Sequence, residues 1–310
     1  MRPSIDFRIE TIAVATDFTS HARAALLHAM GLAHRHNSRI IVLHVIDPIA
    51  HCSPFEAPFY ADGVSRIAAE EQLKELSLLL AEEGLLHETV LREGPARETI
   101  LQVAEEYDAD LLVLGSHGRN RIDRTVLGSV SERLMRASTC PVMVVGPETA
   151  DPGQRRFHCE RILFPTDLGQ SSISAVAAVA RFAAAHRSSL TLLHVLPPNP
   201  TQEDRVATSA RLNEIIEMVK GRGTVIDASV CTGPVDDAVL SRVRDGHFST
   251  LVLGLCDKKD FHKGTPAGLA YDLISRSPCP VFTFRKDQPV RVSAGPVPIH
   301  AQPSLASHAA

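Results

Sequence analysis

The segment between positions 115 and 129 contains the residue types best suited to bind a charged ligand. Its glycines and serine follow the spacing G-x2-G-x9-G-S, formed by Gly115, Gly118 and Gly128-Ser129. An apolar run at 111–114 precedes the segment, and helical periodicity begins at its end. Glycine lets the main chain approach a ligand closely, and the free N–H groups at a helix start favour an anion. The segment therefore predicts a main-chain cradle for a polyphosphate.

Charge in the same segment supports this interpretation. Arg119, Arg121 and Arg124 lie between the glycines, and within the segment only Asp123 opposes them. Each feature taken alone has a purely structural explanation, because a glycine can end a strand and three arginines can form a solvated face. The ordered combination after a buried strand is what favours phosphate binding.

Ser129 has a second interpretation. The sequence Ser129-x-x-Glu132 matches a capping box, in which the serine accepts a hydrogen bond from the first turn of a helix and the glutamate reaches back to the cap. In that case Ser129 only caps its helix. Because capping and phosphate binding use the same helix end, the sequence leaves both alternatives open.

Motifs for other nucleotide or hydrolytic chemistry are absent from the sequence. It contains no G-x4-G-K-[ST] loop, whose lysine reaches the β- and γ-phosphates, and no G-x-G-x-x-G, H-E-x-x-H or G-x-S-x-G motif. The six cysteines form no C-x-x-C pair, and the 15 histidines are dispersed. We therefore predict no catalytic residue and no metal ligand.

The composition limits the class of protein. The chain has 310 residues, 32 Lys and Arg against 36 Asp and Glu, and 44% apolar residues, which is typical of globular domains. The net charge of −4 argues against a dedicated nucleic-acid binder, which is usually basic. No stretch approaches the roughly 20 apolar residues that span a bilayer, and the N-terminus does not resemble a signal peptide. We expect a cytoplasmic protein with neither a membrane nor a nucleic acid as partner.

The sequence repeats itself once. Leu-His-Val at 43–45 recurs at 193–195, an offset of 150, and Leu-Val-Leu-Gly at 112–115 recurs at 251–254, an offset of 139. A period of this length indicates two tandem domains rather than a solenoid. We place domain 1 at 7–147, domain 2 at 158–286 and a disordered tail at 287–310.

Each repeat alternates short apolar runs with stretches of helical periodicity. Runs that are apolar throughout indicate strands of a parallel sheet covered by helices on both faces. The order βαβαβαβαβ therefore predicts an α/β fold of two Rossmann-like domains, each a five-stranded parallel sheet sandwiched by helices. We also expect the edge runs 142–145 and 281–284 to pair, because this intrachain pseudo-dimer would cover two exposed edges.

Ligands of a parallel α/β sheet bind beyond the C-terminal ends of its strands. Asp17, the segment after Val45 and the loop after 114 each follow one of the apolar runs of the first repeat, so we expect them to share one rim. Asp17 has an alternative role as a turn or helix-start residue, because it stands two positions before Thr19-Ser20.

The chain resembles a universal stress protein with two tandem domains, over about 7–146 and 158–285. The resemblance is carried by G-S-H-G at 115–118, Gly128-Ser129, C-P-V-M-V-V at 140–145, I-A-V-A-T-D-F-T at 12–19 and L-H-V-I-D at 43–47. It implies a fold of the adenine nucleotide α-hydrolase type, dimerisation through the last strand, and ATP bound together with Mg²⁺ or Mn²⁺.

The resemblance also implies which residues form the site. Asp17 and the main chain of Val45 would face the adenosine. The ribose and the phosphates would be lined by Gly115, His117, Gly118, Gly128, Ser129, Val130 and Ser131, with Arg119 adding positive charge.

Domain 2 departs from this pattern. At the offset of 139, Asp257 and Ala267 stand where the first repeat has glycine, and Gly268 stands where it has serine. A carboxylate would repel a phosphate, and the hydroxyl is lost, although Asp167 remains at the adenosine side. We predict that domain 2 binds ATP weakly or not at all and serves to pair with domain 1.

These observations predict an ATP-binding regulatory protein of the stress response with one nucleotide site. We expect it to act on a protein partner that the sequence does not identify, and the sequence is also compatible with a homodimer. Two alternatives stay open: a slow ATP hydrolase, with Asp17 or His117 near a bound metal, and a nucleotide-free protein-interaction module. Because nothing in the sequence nominates a general base, we favour binding over catalysis.

Overall fold

A computed structural model of the chain describes residues 9–47, 61–116, 128–149, 159–219, 223–255 and 266–285. The predicted tail lies outside these residues. In the described ranges, no helix combines the length and the apolar character needed to cross a membrane.

Both repeats alternate strands and helices from beginning to end, as predicted. The elements of domain 1 are β1 (Thr11–Ala15), α1 (Ser20–His36), β2 (Arg39–Ile46), α2 (Ala61–Glu82), β3 (His87–Glu93), α3 (Ala96–Glu106), β4 (Leu111–Gly115), α4 (Ser129–Ala137) and β5 (Val142–Val145). Those of domain 2 are β6 (Arg161–Pro165), α5 (Gln170–His186), β7 (Ser189–Leu196), α6 (Gln202–Val219), β8 (Ile226–Thr232), α7 (Val235–Asp245), β9 (Thr250–Leu255), α8 (Pro266–Arg276) and β10 (Val281–Arg285).

The strands are apolar at successive positions because helices cover both faces of the sheet. Neighbouring residues of a strand point to opposite faces, so Ile12 belongs to one apolar cluster and Ala13 to the other. Helices α1 and α2 pack on the first face, for example through Leu26, and α3 and α4 pack on the second, for example through Leu134.

Within the described residues the strands form one sheet of ten, in the order β3-β2-β1-β4-β5-β10-β9-β6-β7-β8. Each domain contributes five parallel strands. Strands β5 and β10 pair antiparallel, with Met143 opposite Phe282, and Thr283 Oγ1 donates to the Val142 carbonyl at 3.2 Å. The two edges that the sequence predicted to pair therefore join the domains.

A pair of histidines joins the domains a second time, at the ends of α1 and α5. His36 and His186 are 150 positions apart, and their Nε2 atoms lie 3.0 Å from each other. His186 Nδ1 donates to the Phe182 carbonyl at 2.8 Å, so its Nε2 accepts from His36. Burial, and to a lesser degree the neighbouring His36, lowers the pKa of His186 to about 3. The ring of His186 is thus neutral near pH 7, which preserves this hydrogen bond.

The residue that caps the C-terminus of α5 is strained, and a substitution can relieve this strain. Arg187 caps the helix in the left-handed conformation, with φ of 53°, where the equivalent residue of α1 is Asn37, with φ of 56°. Asparagine tolerates this region better than arginine. We expect Arg187→Gly to raise the free energy of unfolding by about 1 kcal/mol, measured by urea denaturation. Arg187→Ala retains the β-carbon and should bring no gain; an equal gain in both variants would contradict the strain.

Candidate functional site

The ends of three neighbouring strands of domain 1 form one rim. Strand β1 lies between β2 and β4, and all three are parallel. Asp17, Val45 and Gly115 lie at or just beyond the C-terminal ends of these strands. The Thr16 N–H donates to the Leu43 carbonyl at 2.8 Å, which keeps the chain after β1 beside β2. The structure therefore brings these three predicted site residues to the same edge of the sheet.

Asp17 shapes the turn between β1 and α1. Its Oδ1 accepts hydrogen bonds from Thr19 N at 3.1 Å and from Thr19 Oγ1 at 2.6 Å. Thr19 is in turn the cap of α1, accepting from Ala22 N at 3.3 Å. The alternative role of Asp17 as a turn residue is therefore present in the structure. It fixes the carboxyl group at the rim, where one of its oxygens is engaged with Thr19.

His44, in the neighbouring strand β2, stabilises this turn, a role that the sequence analysis did not predict. Its Nδ1 donates to the Thr16 carbonyl at 2.7 Å, and its ring lies 4.4 Å from that of Phe18, centre to centre. Phe18 itself has a left-handed φ of 64°. In domain 2, His194 Nδ1 makes the same bond to Thr166 at 2.8 Å. The recurrence of Leu-His-Val in both repeats is the sequence pattern that could have indicated this role of the histidine.

Gly115 lies against the first turn of α1. A β-carbon at this position would come within 2.9 Å of the His21 carbonyl carbon and 3.0 Å of the Ala22 nitrogen. Since these are main-chain atoms of a helix, only glycine fits without displacing it. A β-carbon at the equivalent Gly254 would meet nothing closer than 3.7 Å. The close approach is thus particular to domain 1.

Two hydrogen bonds join the end of β4 to the start of α4. Gly128 N donates to the Ser116 carbonyl at 2.8 Å, and Ser131 Oγ donates to the Gly115 carbonyl at 2.9 Å. Ser116 is fully buried, and its own N–H donates to the Val145 carbonyl at 2.9 Å. The two halves of the glycine pattern therefore lie next to each other in space, although 11 residues, 117–127, separate them in the sequence.

Of the two alternatives for Ser129, the capping box is not formed. The cap of α4 is Gly128, and Ser129 is the first residue of the helix itself. Glu132, which would complete the box, accepts a hydrogen bond from Arg136 Nη2 through Oε1 at 2.7 Å instead. A glycine cap has no side chain that could accept hydrogen bonds from the N–H groups of the first turn. No cap side chain therefore competes with an anion for these N–H groups.

The remaining predicted residues divide into two groups. Val130 is exposed and Ser131 is buried, with its hydroxyl on the Gly115 carbonyl. His117, Gly118 and Arg119 lie outside the described residues.

The corresponding helix of domain 2 differs in sequence from α4. The described part of α8 runs from Pro266 and contains Ala267 and Gly268, the counterparts of Gly128 and Ser129. Proline lacks an N–H group, so Pro266 offers no main-chain donor. Asp167 is retained and accepts from Gly169 N at 2.8 Å and from Ser172 Oγ at 2.6 Å. Domain 2 therefore keeps the hydrogen-bonded turn that follows its first strand, but not the glycine and serine found at the start of α4.

Three buried cysteines precede strands β5, β6 and β10. Burial raises the pKa of the thiols of Cys140, Cys159 and Cys279, so these cysteines are protonated at neutral pH. In the part of the chain that the structure describes, no three His, Cys, Asp or Glu side chains lie close enough to bind a metal ion.

Comparison with known proteins gives consistent results for sequence and structure. A model of the universal stress protein family matches residues 8–146 and 158–285. A universal stress protein of Methanocaldococcus jannaschii is 31% identical over 141 residues, covering 43% of this chain and 80% of that protein. The stress response protein NhaX of Bacillus subtilis is 30% identical over 166 residues, covering 45% and 99%. The crystal structure of a universal stress protein from Archaeoglobus fulgidus is similar in fold, with a TM-score of 0.70, 20% identity, and coverage of 91% of this chain and 98% of that one.

Proposed function

Because the chain belongs to the universal stress protein family, we propose that it is a cytoplasmic regulatory protein that binds ATP at one site, in domain 1. ATP would lie across the rim formed by the ends of β1, β2 and β4. Binding would hold the segment between Ser116 and Gly128 against the phosphates and so change the surface that a partner protein contacts.

The observation that carries this proposal is the hydrogen bond from Gly128 N to the Ser116 carbonyl, at 2.8 Å. It places the start of α4 directly beside the end of β4. Gly128 contributes no side chain to cover the first turn. The start of an α-helix carries roughly half a positive elementary charge, and its N–H groups point toward a bound anion. This combination supports a phosphate group at the helix start.

The residues around the rim support an adenine nucleotide in one orientation. Asp17 and the main chain of Val45 would hold the adenosine. The phosphates would lie along Gly115, His117, Gly118, Gly128, Ser129 and Val130, with Arg119 adding charge and Ser131 holding the Gly115 carbonyl in place. Mg²⁺ or Mn²⁺, when bound, would neutralise charge on the phosphate oxygens.

Domain 2 would act as the partner of domain 1 rather than as a second nucleotide site. Pro266, which has no N–H group to donate, and the carboxylate of Asp257 both disfavour a polyphosphate. The antiparallel pairing of β5 with β10 gives domain 2 a structural role in covering an edge of domain 1.

Solved structures of two other universal stress proteins are complexes, one with cAMP and one, from Archaeoglobus fulgidus, with dAMP. Their TM-scores against this chain are 0.35 and 0.34, so they assign no residue of it. The proposal rests on the glycine pattern and on the contacts of β4 with α4.

A first test replaces Gly118 with aspartate, the residue that domain 2 has at the equivalent position. We expect Gly118→Asp to abolish ATP binding in isothermal titration, because the carboxylate would repel the phosphates, while the circular dichroism spectrum stays unchanged. Retained micromolar affinity for ATP would remove this segment from the site.

A turnover assay on the pure protein separates binding from catalysis. A regulatory protein should release phosphate from ATP much more slowly than one molecule per second, whereas ordinary enzymes turn over at about one per second or faster. A rate in that range would favour the hydrolase alternative.

A further inference from the structure

A chain of three polar side chains connects the proposed phosphate-binding helix with domain 2. Glu132 lies in the first turn of α4, and its Oε1 accepts from Arg136 Nη2 at 2.7 Å. Arg136 Nε donates to the hydroxyl of Tyr271, in α8, also at 2.7 Å. The guanidinium carbon of Arg136 lies 5.6 Å from the centre of the Tyr271 ring. Arg136 is therefore held by its own helix and by the other domain.

Glu132 stands where it would interfere with a bound anion. A carboxylate in the first turn of a helix is attracted to the N–H groups that a phosphate would use, and it repels the phosphate charge. The ion pair with Arg136 draws this carboxylate toward the last turn of α4 and neutralises its charge. The two side chains are 34% and 35% exposed, and ion pairs of this kind contribute little to stability. Stability alone therefore gives little reason for the arrangement.

We propose that Arg136, oriented by Tyr271 of domain 2, is a positioning residue that keeps Glu132 away from the phosphate end of α4 and thereby favours ATP over adenosine. This inference rests on the proposed function. It gives domain 2 a part in nucleotide binding without a nucleotide of its own.

The repeat supports this asymmetric role. At the offset of 139, Tyr271 takes in domain 2 the position of Glu132, and Ser275 takes that of Arg136. Domain 2 thus lacks both members of the ion pair on the helix that has also lost the glycine-serine start. Burial raises the pKa of Tyr271 to about 12, so Arg136 contacts a neutral phenol across the domain boundary.

The test is to titrate ATP and adenosine into the full chain and into Arg136→Met, whose side chain is unbranched and uncharged. We expect the affinity for ATP to fall on the order of fivefold, and that for adenosine by less than about twofold, because only the phosphate end is affected. The difference should shrink in 1 M salt, where the Debye length is about 3 Å. The matched control is Arg211→Met in α6, which breaks a similar Arg–Glu pair, with Glu214 at 2.7 Å, on a helix of domain 2 that packs on β7 and β8; it should leave both affinities unchanged.

A rescue experiment separates charge from structure. The double variant Glu132→Gln/Arg136→Met lacks the carboxylate and should regain an ATP affinity within about twofold of the wild type. Glu132→Gln alone should keep or raise that affinity, and it serves as the test if Arg136→Met does not fold. Equal losses for ATP and adenosine, failed rescue, or a loss of ATP affinity in Glu132→Gln would overturn the inference. A wild-type chain that binds no ATP would overturn the proposed function itself.

Discussion

Replacement of Gly128 by aspartate should strongly weaken ATP binding while the chain remains folded. Gly128 has φ of −59° and ψ of 138°, which any residue can adopt, and aspartate is among the favoured helix caps. Its carboxylate would accept from the first turn of α4 and occupy the place proposed for phosphate. At about 4 Å from a phosphate charge, the repulsion is about 2–4 kcal/mol at an effective dielectric constant of roughly 20–40. The expected loss of affinity is on the order of a hundredfold.

Isothermal titration with ATP measures this loss, and Gly128→Ala is the neutral control. Alanine is the residue that domain 2 has at this position, and without a carboxylate it should lose less than about tenfold. Without nucleotide, Gly128→Asp should melt at the same temperature as the wild type or above it, because the new cap satisfies N–H groups of α4. Wild-type affinity in Gly128→Asp would mean that this helix start does not bind the phosphates.

Gly115→Ala should destabilise the protein by about 2–3 kcal/mol, the upper part of the range for overpacking a well-packed site. The added β-carbon would approach the main chain of His21 and Ala22 to within 3.1 Å, so either α1 or β4 must shift. Because Asp17 and Gly115 reach the rim through these two elements, the affinity for ATP should fall as well. Urea denaturation and ATP titration of the same variant measure the two effects.

The repeat provides a matched control for this substitution. At Gly254 an added β-carbon would meet only ordinary contacts, the nearest at 3.7 Å from Phe164. Gly254→Ala should therefore leave stability unchanged or raise it by up to about 1 kcal/mol, through reduced entropy of the unfolded chain. If both alanine variants destabilise the protein equally, the tight contact of β4 with α1 is not what sets the conformation of the rim.

The fold was predictable from sequence because helices bury both faces of most strands. Strand β4 and its counterpart β9 share Leu-Val-Leu-Gly, and their apolar positions are buried on both faces of the sheet. Strand β3 gives a weaker pattern, since it lies at the edge of the sheet and carries Glu88 and Arg92. The pairing of 142–145 with 281–284, expected because it would cover two exposed edges of the tandem domains, is also present in the structure.

The contacts of the site were less predictable, because they join residues that are distant along the chain. The glycine spacing indicated that Gly115 and Gly128 act together, but only the structure supplies the bond from Gly128 N to Ser116. That bond fixes where α4 begins, and for this reason the local Ser129-x-x-Glu132 pattern gave the wrong cap. Similarly, no local pattern could pair Arg136 with Tyr271, which lies 135 positions away in the other repeat.

The central claim is that the end of β4 and the start of α4 form a single polyphosphate site in domain 1. Isothermal titration of ATP into the full wild-type chain, with the number of sites fitted freely, tests it most directly. We predict one molecule of ATP bound per chain and none in Gly118→Asp. Two equivalent sites per chain, or no binding to the wild type, would contradict the claim.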